Sequence, residues 1–154
     1  MLTPELQFAF EIKINVDAGK THVVGETGKG MRRGIPILGG TFGCRDIKGS
    51  VLPGGYDWQL LRTDGVAEID ARYLLQTDDG VLITITNKGL RHGAADVMQK
   101  LANGEDVTPD HYYFRTSPVF ETGDSRYHWL TNNIFIANGI RKSALVMIQV
   151  WKVL

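Results

Sequence analysis

Glu68, Asp70 and Arg72 stand at alternate positions of the run Glu68-Ile69-Asp70-Ala71-Arg72-Tyr73. Side chains two residues apart on an extended strand point the same way. The spacing therefore sets two carboxylates and a guanidinium on one face. Such a face can do acid/base chemistry when one carboxyl is desolvated, because burial raises its pKa towards neutrality. Asp70 and Glu68 are the candidate catalytic groups, and Arg72 is a candidate for holding negative charge on a substrate. The same pattern also describes a solvent face on which Arg72 offsets the two acids. In that case Ala67, Ile69, Ala71 and Tyr73 pack a core on the other side.

Tyr113, Arg115 and Glu121 share a parity further along the chain, provided that Pro118 does not break the register. Proline within a strand points to an edge or a bulge. Arg115 can anchor a carboxylate or phenolate, since its planar fork binds anions at two points; its other reading is a structural salt bridge to Asp70 or Glu121. Trp58 and Trp129 are either apolar walls of a ligand site or core packing. The candidate substrate-binding set is thus Trp58, Arg72, Tyr113, Arg115 and Trp129. Proton-transfer chemistry on this set, such as isomerisation, cyclisation or hydrolysis, needs no bound cofactor.

Other reactive residue types offer less. His22, His92, His111 and His128 do not pair at any local metal-binding spacing, so no metal site is expected. Cys44 is the only cysteine, which rules out an intrachain disulfide and a cysteine-cluster zinc site. Arg45 beside it could lower the thiol pKa, whereas a lone cysteine among apolar residues also serves as a small core filler. Gly25-Glu26-Thr27-Gly28-Lys29-Gly30 lacks the spacing of a phosphate loop and reads as a loop at a barrel mouth. Arg91-His92-Gly93 leads into a helical stretch, which either attracts an anion at its amides or plugs one barrel end.

The elements that must position these residues are mostly strands. Gly54-Gly55, Asp64-Gly65, Asp79-Gly80 and Asn87-Lys88-Gly89 recur at near-regular intervals between alternating segments. That is the pattern of consecutive antiparallel strands joined by tight turns. Residues 56–62, 66–77 and 81–88 read as a meander. Residues 6–16 alternate most regularly, and Phe8, Phe10 and Ile12 are expected in the core. Residues 21–24 are expected to pair back on that first strand. One helix is expected over residues 94–103, with Gly104 as its stop. Strands follow at 112–122, 127–137 and 144–153, with Asn138-Gly139 as the last turn. The reading is an all-β single domain over residues 1–154, with about nine or ten strands and one short helix. Joining the first and last strands closes it into an antiparallel barrel, a flattened barrel or sandwich being the other arrangement.

Composition bounds the partners. The chain has 18 glycines in 154 residues, an excess suited to turns and bulges, and its formal net charge is zero. A neutral chain has no long-range field to draw nucleic acid or acidic lipid. The first residues carry no signal-peptide pattern and no apolar run reaches spanning length, so the expected location is the cytoplasm. Neutral charge together with aromatic and β-branched outer faces points to a homodimer.

Several motifs resemble the domain of unknown function 3237 family, also called uncharacterised protein family 0311. They are Leu52-Pro53-Gly54-Gly55-Tyr56-Asp57-Trp58, Arg62-Thr63-Asp64-Gly65, Asp70-Ala71-Arg72-Tyr73 and Thr77-Asp78-Asp79-Gly80. Tyr113-Phe114-Arg115-Thr116-Ser117-Pro118, Phe120-Glu121-Thr122, and Tyr127 with Trp129-Leu130 continue the match in order. Where the family pattern has Trp-Leu-Asn, this chain has Trp129-Leu130-Thr131. The resemblance implies a calycin-like antiparallel β-barrel that is often a homo-oligomer, and it implies no particular activity or cofactor. Three roles follow for such a barrel: an acid/base enzyme acting on a small aromatic or anionic organic molecule, a ligand-binding barrel without turnover, or a structural subunit with a filled interior.

Overall fold

The alternating N-terminal segment forms strand β1 (Leu6–Asn15), with Phe10, Ile12 and Ile14 buried. It lies antiparallel to the last strand, β12 (Leu145–Val153), as expected. The alternation is interrupted once. A bulge between Phe8 and Phe10 shifts the register with β12, so Ala9 is buried and Phe8 is 46% exposed. An inserted residue reverses the parity of everything before it, and this corrects the expectation that Phe8 joins the core. Phe8 packs edge-on against Trp151 instead, at 5.2 Å between ring centroids.

The computed structural model describes residues 1–154 and places twelve strands in one antiparallel sheet. Between β1 and β12 come β2 (His22–Thr27), β3 (Gly30–Pro36), β4 (Gly40–Gly43) and β5 (Lys48–Val51). Then follow β6 (Tyr56–Asp57), β7 (Leu60–Leu61), β8 (Ala67–Thr77), β9 (Leu82–Gly93), β10 (Tyr112–Glu121) and β11 (Phe135–Arg141). The ring β8-β5-β4-β1-β12-β11-β10-β9 returns to β8 and closes an eight-stranded barrel. Closure removes the exposed edges that an open sheet would leave. β9 takes one edge of β8 along its length. On the other edge β5 pairs near the end of the strand and β6 and β7 pair nearer its start, with β3 and β2 continuing outward from them.

Three local expectations change. Residues 22–27 pair with β3 and not with β1, whose second edge is taken by β4. The glycine-rich stretch is therefore a hairpin and not a free loop. Asn138 and Gly139 lie within β11, paired with Gln149 and Ile148, so they make no turn. A Cβ at Gly139 would come within 2.3 Å of the Phe114 ring, so this glycine answers to close packing. The stretch expected as a strand at 127–137 is a 3-10 turn (Ser125–Leu130) before β11 begins. Asp124 starts that turn by accepting from the Arg126 N–H at 2.9 Å.

The interior has two halves. At one end Phe10 packs edge-on against Phe42, Phe120 and Trp129, and Phe120 against Phe135. Each such ring contributes on the order of 1.5–3 kcal/mol through burial. At the other end helix α1 (Ala95–Ala102) lies across the cavity with Leu101 buried. Gly104, at φ +78, ends the helix in a conformation that favours glycine.

Candidate functional site

Ala67, Ile69, Ala71, Tyr73 and Leu75 of β8 are buried, so Glu68, Asp70 and Arg72 face outward. Arg72 Nε lies 3.4 Å from Asp70 Oδ1, an ion pair on the outer surface. Glu68 borders a shallow depression with Arg62 and Asp64. On β10 the buried set is Tyr112, Phe114, Thr116, Pro118 and Phe120, which turns Tyr113 and Arg115 outward. Pro118 keeps register with Asn87, so parity runs through it. It lies beyond Arg115 and Thr116, where β11 pairs with β10, which leaves the strand one neighbour there. Arg115 sits over the Tyr113 ring and donates to the Phe114 carbonyl at 3.0 Å, with no ion pair to Asp70 or Glu121. Trp58 is exposed and stacks on Tyr56, while Trp129 belongs to the aromatic half of the core. The expected catalytic and substrate-binding residues are therefore not gathered around a common cavity. The geometric reason is the pleat: the apolar parity of β8 and β10 fills the barrel and carries the charged parity outside.

The cavity lies under α1 and has a volume of about 530 Å³. Ile14, Ile69, Val146 and Ile148 form its apolar wall, and Met98 and Leu101 of α1 form its lid. Among these apolar side chains stand Arg33, Asp57, Gln59, Tyr73, Asn87, Arg91 and Arg141. Register explains how each arrives. Asp57 pairs with Ala71, whose side chain is buried, and cross-strand partners share a face. Arg91 pairs with Phe114 on β10 and with Ala67 on β8, both buried. Arg141 pairs with Val146 of the cavity wall.

Asp57 is the only carboxylate in this lining. One of its oxygens accepts the Asp70 backbone N–H at 2.9 Å. The other faces Gln59 Nε2 at 3.5 Å, and Gln59 in turn accepts from an Arg33 Nη. Burial is the largest influence on Asp57 and pushes its pKa up to about 6. The Asp70 N–H and the Arg91 and Arg33 charges oppose that rise without cancelling it, and the Asp70 carboxylate adds to it. Burial likewise lowers Arg91 to about 10, helped by repulsion from Arg141 and Arg33. Arg141 is lowered by burial and by Arg33, and Arg33 is lowered by burial against the attraction of Asp57. The Tyr73 hydroxyl is raised by burial and then by the Asp57 charge. Tyr73 Oη, Asn87 Oδ1, Arg33 Nε and Arg91 Nε are buried without a hydrogen-bond partner. Unsatisfied buried polar atoms are uncommon in folded proteins and call for a reason. No three histidine, cysteine or carboxylate side chains converge as a metal-binding group.

Sequence reasoning did not single out Asp57, Arg33, Arg91 and Arg141, which line the cavity. For Arg91 and Asn87 a signal was present: they continue the parity of Ile83 and Ile85 on β9, the apolar side of that strand. Asp57 lay within a quoted motif but belongs to a two-residue strand, too short for a period to show.

Residues 4–153 match the family described as protein of unknown function, DUF3237. A UPF0311 protein of Rhodopseudomonas palustris (strain TIE-1) is 42% identical over 153 residues, covering 99% of this chain and 100% of that protein. The crystal structure of a conserved protein of unknown function from Rhodopseudomonas palustris superposes with a TM-score of 0.95 at 40% identity, with all of both chains covered. A β-barrel-like protein from Acinetobacter baumannii AYE superposes with a TM-score of 0.86 at 37% identity, covering 100% of this chain and 98% of that one. More distantly, the hydroalkoxylation enzyme phnH of Penicillium herquei is 24% identical over 129 residues, covering 84% of this chain and 70% of that protein.

Proposed function

We propose for this chain, which belongs to the DUF3237 family of proteins of unknown function, that the barrel cavity takes up a small, largely apolar organic molecule and that Asp57 moves a proton on it. The observation that carries this reading is a lone carboxyl in an apolar cavity, with its pKa raised to about 6. A general acid or base works best when its pKa lies near the working pH, because both forms are then populated. The cavity volume of about 530 Å³ falls in the range of small-molecule sites. Tyr73 adds a hydroxyl that has no protein partner and that can donate to a substrate oxygen.

The reaction class is proton transfer to or from carbon or oxygen, as in isomerisation, cyclisation or addition. The distant Penicillium herquei relative is named for hydroalkoxylation. Addition of an O–H across a C=C bond breaks the O–H bond and the C=C π bond and forms one C–O and one C–H bond, with no net oxidation. One carboxyl can serve both proton movements, accepting from oxygen and delivering to carbon. An apolar wall that excludes water strengthens such electrostatic effects.

The test is solvent-deuterium incorporation into a panel of small aromatic ketones, enols and alkenyl phenols, read by mass spectrometry. Wild type and Arg115→Ala, on the outer face, are expected to exchange protons. Asp57→Asn is expected to lose exchange while keeping ligand-induced thermal stabilisation. Equal exchange by Asp57→Asn removes the proton-transfer role. Binding without exchange by the wild type makes the barrel a carrier.

A further inference from the structure

Four guanidiniums line the cavity with a single carboxylate, Asp57; Arg62 is paired with Asp64, which leaves the three of Arg33, Arg91 and Arg141. None of the three forms an ion pair in the structure. Arg33 is held by Gln59, and Arg141 by the Lys142 and Ser143 carbonyls. Arg91 has no hydrogen-bond acceptor and rests on the Phe114 ring, 5.5 Å from its centroid. A buried cation that lacks a partner is among the costlier features a fold can carry. Arg91 is such a cation, and repulsion from Arg141 and Arg33 adds to its cost. Asp57 offsets one of the three charges, and with its pKa near neutrality it is partly protonated. The surplus is positive, it is directed into an apolar chamber, and the guanidinium fork suits a planar oxygen pair.

Building on the reading of this cavity as a ligand site, we propose that its ligand is an organic oxyanion. Its carboxylate or ionised hydroxyl sits against Arg91 and Arg141, and its apolar body against Ile69, Val146, Ile148 and Met98. An anion there relieves the repulsion among the guanidiniums and meets the free Arg91 Nε–H. A neutral molecule of the same shape fills the same wall and leaves the cations unpaired. The site therefore selects on charge first and on shape second.

The experiment compares 2-naphthoate with its neutral isostere 2-naphthamide, by calorimetry and thermal shift at fixed ionic strength. Wild type is expected to bind naphthoate at least about tenfold more tightly, the scale of a hydrogen bond to a charged group. Arg91→Met is expected to abolish that preference. It is also expected to raise the melting temperature of the ligand-free protein, because it replaces an unpaired buried charge by an apolar chain of similar length. Arg141→Gln supplies the same comparison should Arg91→Met fold poorly. 2-Naphthol separates the two oxyanions: binding that strengthens as pH rises through its own ionisation assigns an ionised hydroxyl, and binding indifferent to that ionisation assigns a carboxylate. Equal affinity for naphthoate and naphthamide, with binding of 2-naphthol indifferent to its ionisation, overturns the proposal, as does the absence of any stabilisation by naphthoate and by ionised 2-naphthol alike. A preference unchanged in both arginine variants overturns it too. Asp57→Asn is expected to keep the preference for the anion, so a failure of the proton-transfer reading leaves this result intact.

Discussion

Replacing Asp57 by asparagine isolates what it costs the fold to hold this carboxyl in the cavity. Its pKa stands at about 6, against 3.8 for the unperturbed side chain. A rise of about two units corresponds to about 3 kcal/mol between the protonated and ionised forms. The sign follows from proton binding. The folded protein holds this proton more tightly than the unfolded chain does, so stability falls as pH rises. The favourable contribution is complete below the unperturbed value of 3.8 and is lost as pH passes through about 6. At neutral and alkaline pH the ionised carboxyl therefore weighs against folding. Asparagine keeps an oxygen for the Asp70 N–H, but its amide N–H₂ faces Gln59 Nε2, where two donors meet. That mismatch costs about 1 kcal/mol. The expected net gain for Asp57→Asn is about 2 kcal/mol at about pH 8, with no gain, or a small loss, at about pH 4. For a chain of this size such a gain raises the melting temperature by about 4–8 °C. Urea unfolding followed by tryptophan fluorescence at both pH values measures it. A substitution that destabilises at the higher pH, or that acts equally at both, refutes the argument. It would mean that the carboxylate is better solvated or better paired than its place in the cavity implies.

Two further outcomes are expected. Gly139→Ala places a methyl group 2.3 Å from the Phe114 ring, which also carries Arg91, so a loss of about 1–3 kcal/mol in urea unfolding is expected; an unchanged midpoint would show that Phe114 moves aside freely. Phe8, Trp151 and Ile136 form a contiguous cross-strand stripe on the outside of β1, β12 and β11, and Phe8 and Ile136 are exposed. On that stripe the expected dimer would be held, so sedimentation at micromolar concentration should show a dimer in the wild type and a shift to monomer in Phe8→Glu; a wild-type sample that is wholly monomeric ends this reading.

The barrel was legible where local pattern and tertiary environment agree. Strand β1 alternates because one of its faces is core, and β12 is apolar because it meets β1 at closure. Helix α1 falls where Val97, Met98 and Leu101 recur at helical spacing, and Met98 and Leu101 indeed face the cavity. What escaped were features defined only by a partner. The bulge at Phe8 and Phe10 exists relative to β12 and leaves no mark in β1 itself. Residues 22–27 had two possible neighbours, and local sequence does not rank them. Asn138-Gly139 carries a strong turn signal, yet the close approach of Phe114 uses that glycine for a different purpose.

The charged face of β8, expected as a candidate site, lies outside the barrel for a reason that bears on reading other barrels. Glu68, Asp70 and Arg72 drew attention because three charged residues share a face. In a closed barrel, however, a face with that many charges is the one most cheaply left in water, where an exposed ion pair is worth little and costs little. The interior must be mostly apolar to fold, so a chemical group inside has to be an isolated exception on an apolar parity. Asp57, opposite Ala71, is such an exception, and so are Asn87 and Arg91, in step with Ile83 and Ile85. Each costs the fold free energy where it stands, and the unpaired Arg91 and Tyr73 atoms are the visible part of that cost. A ligand in the cavity, as proposed above, would use such residues and give a reason for their presence against better packing. The search for chemistry in a sheet protein therefore belongs on the apolar parity, at the positions that break it.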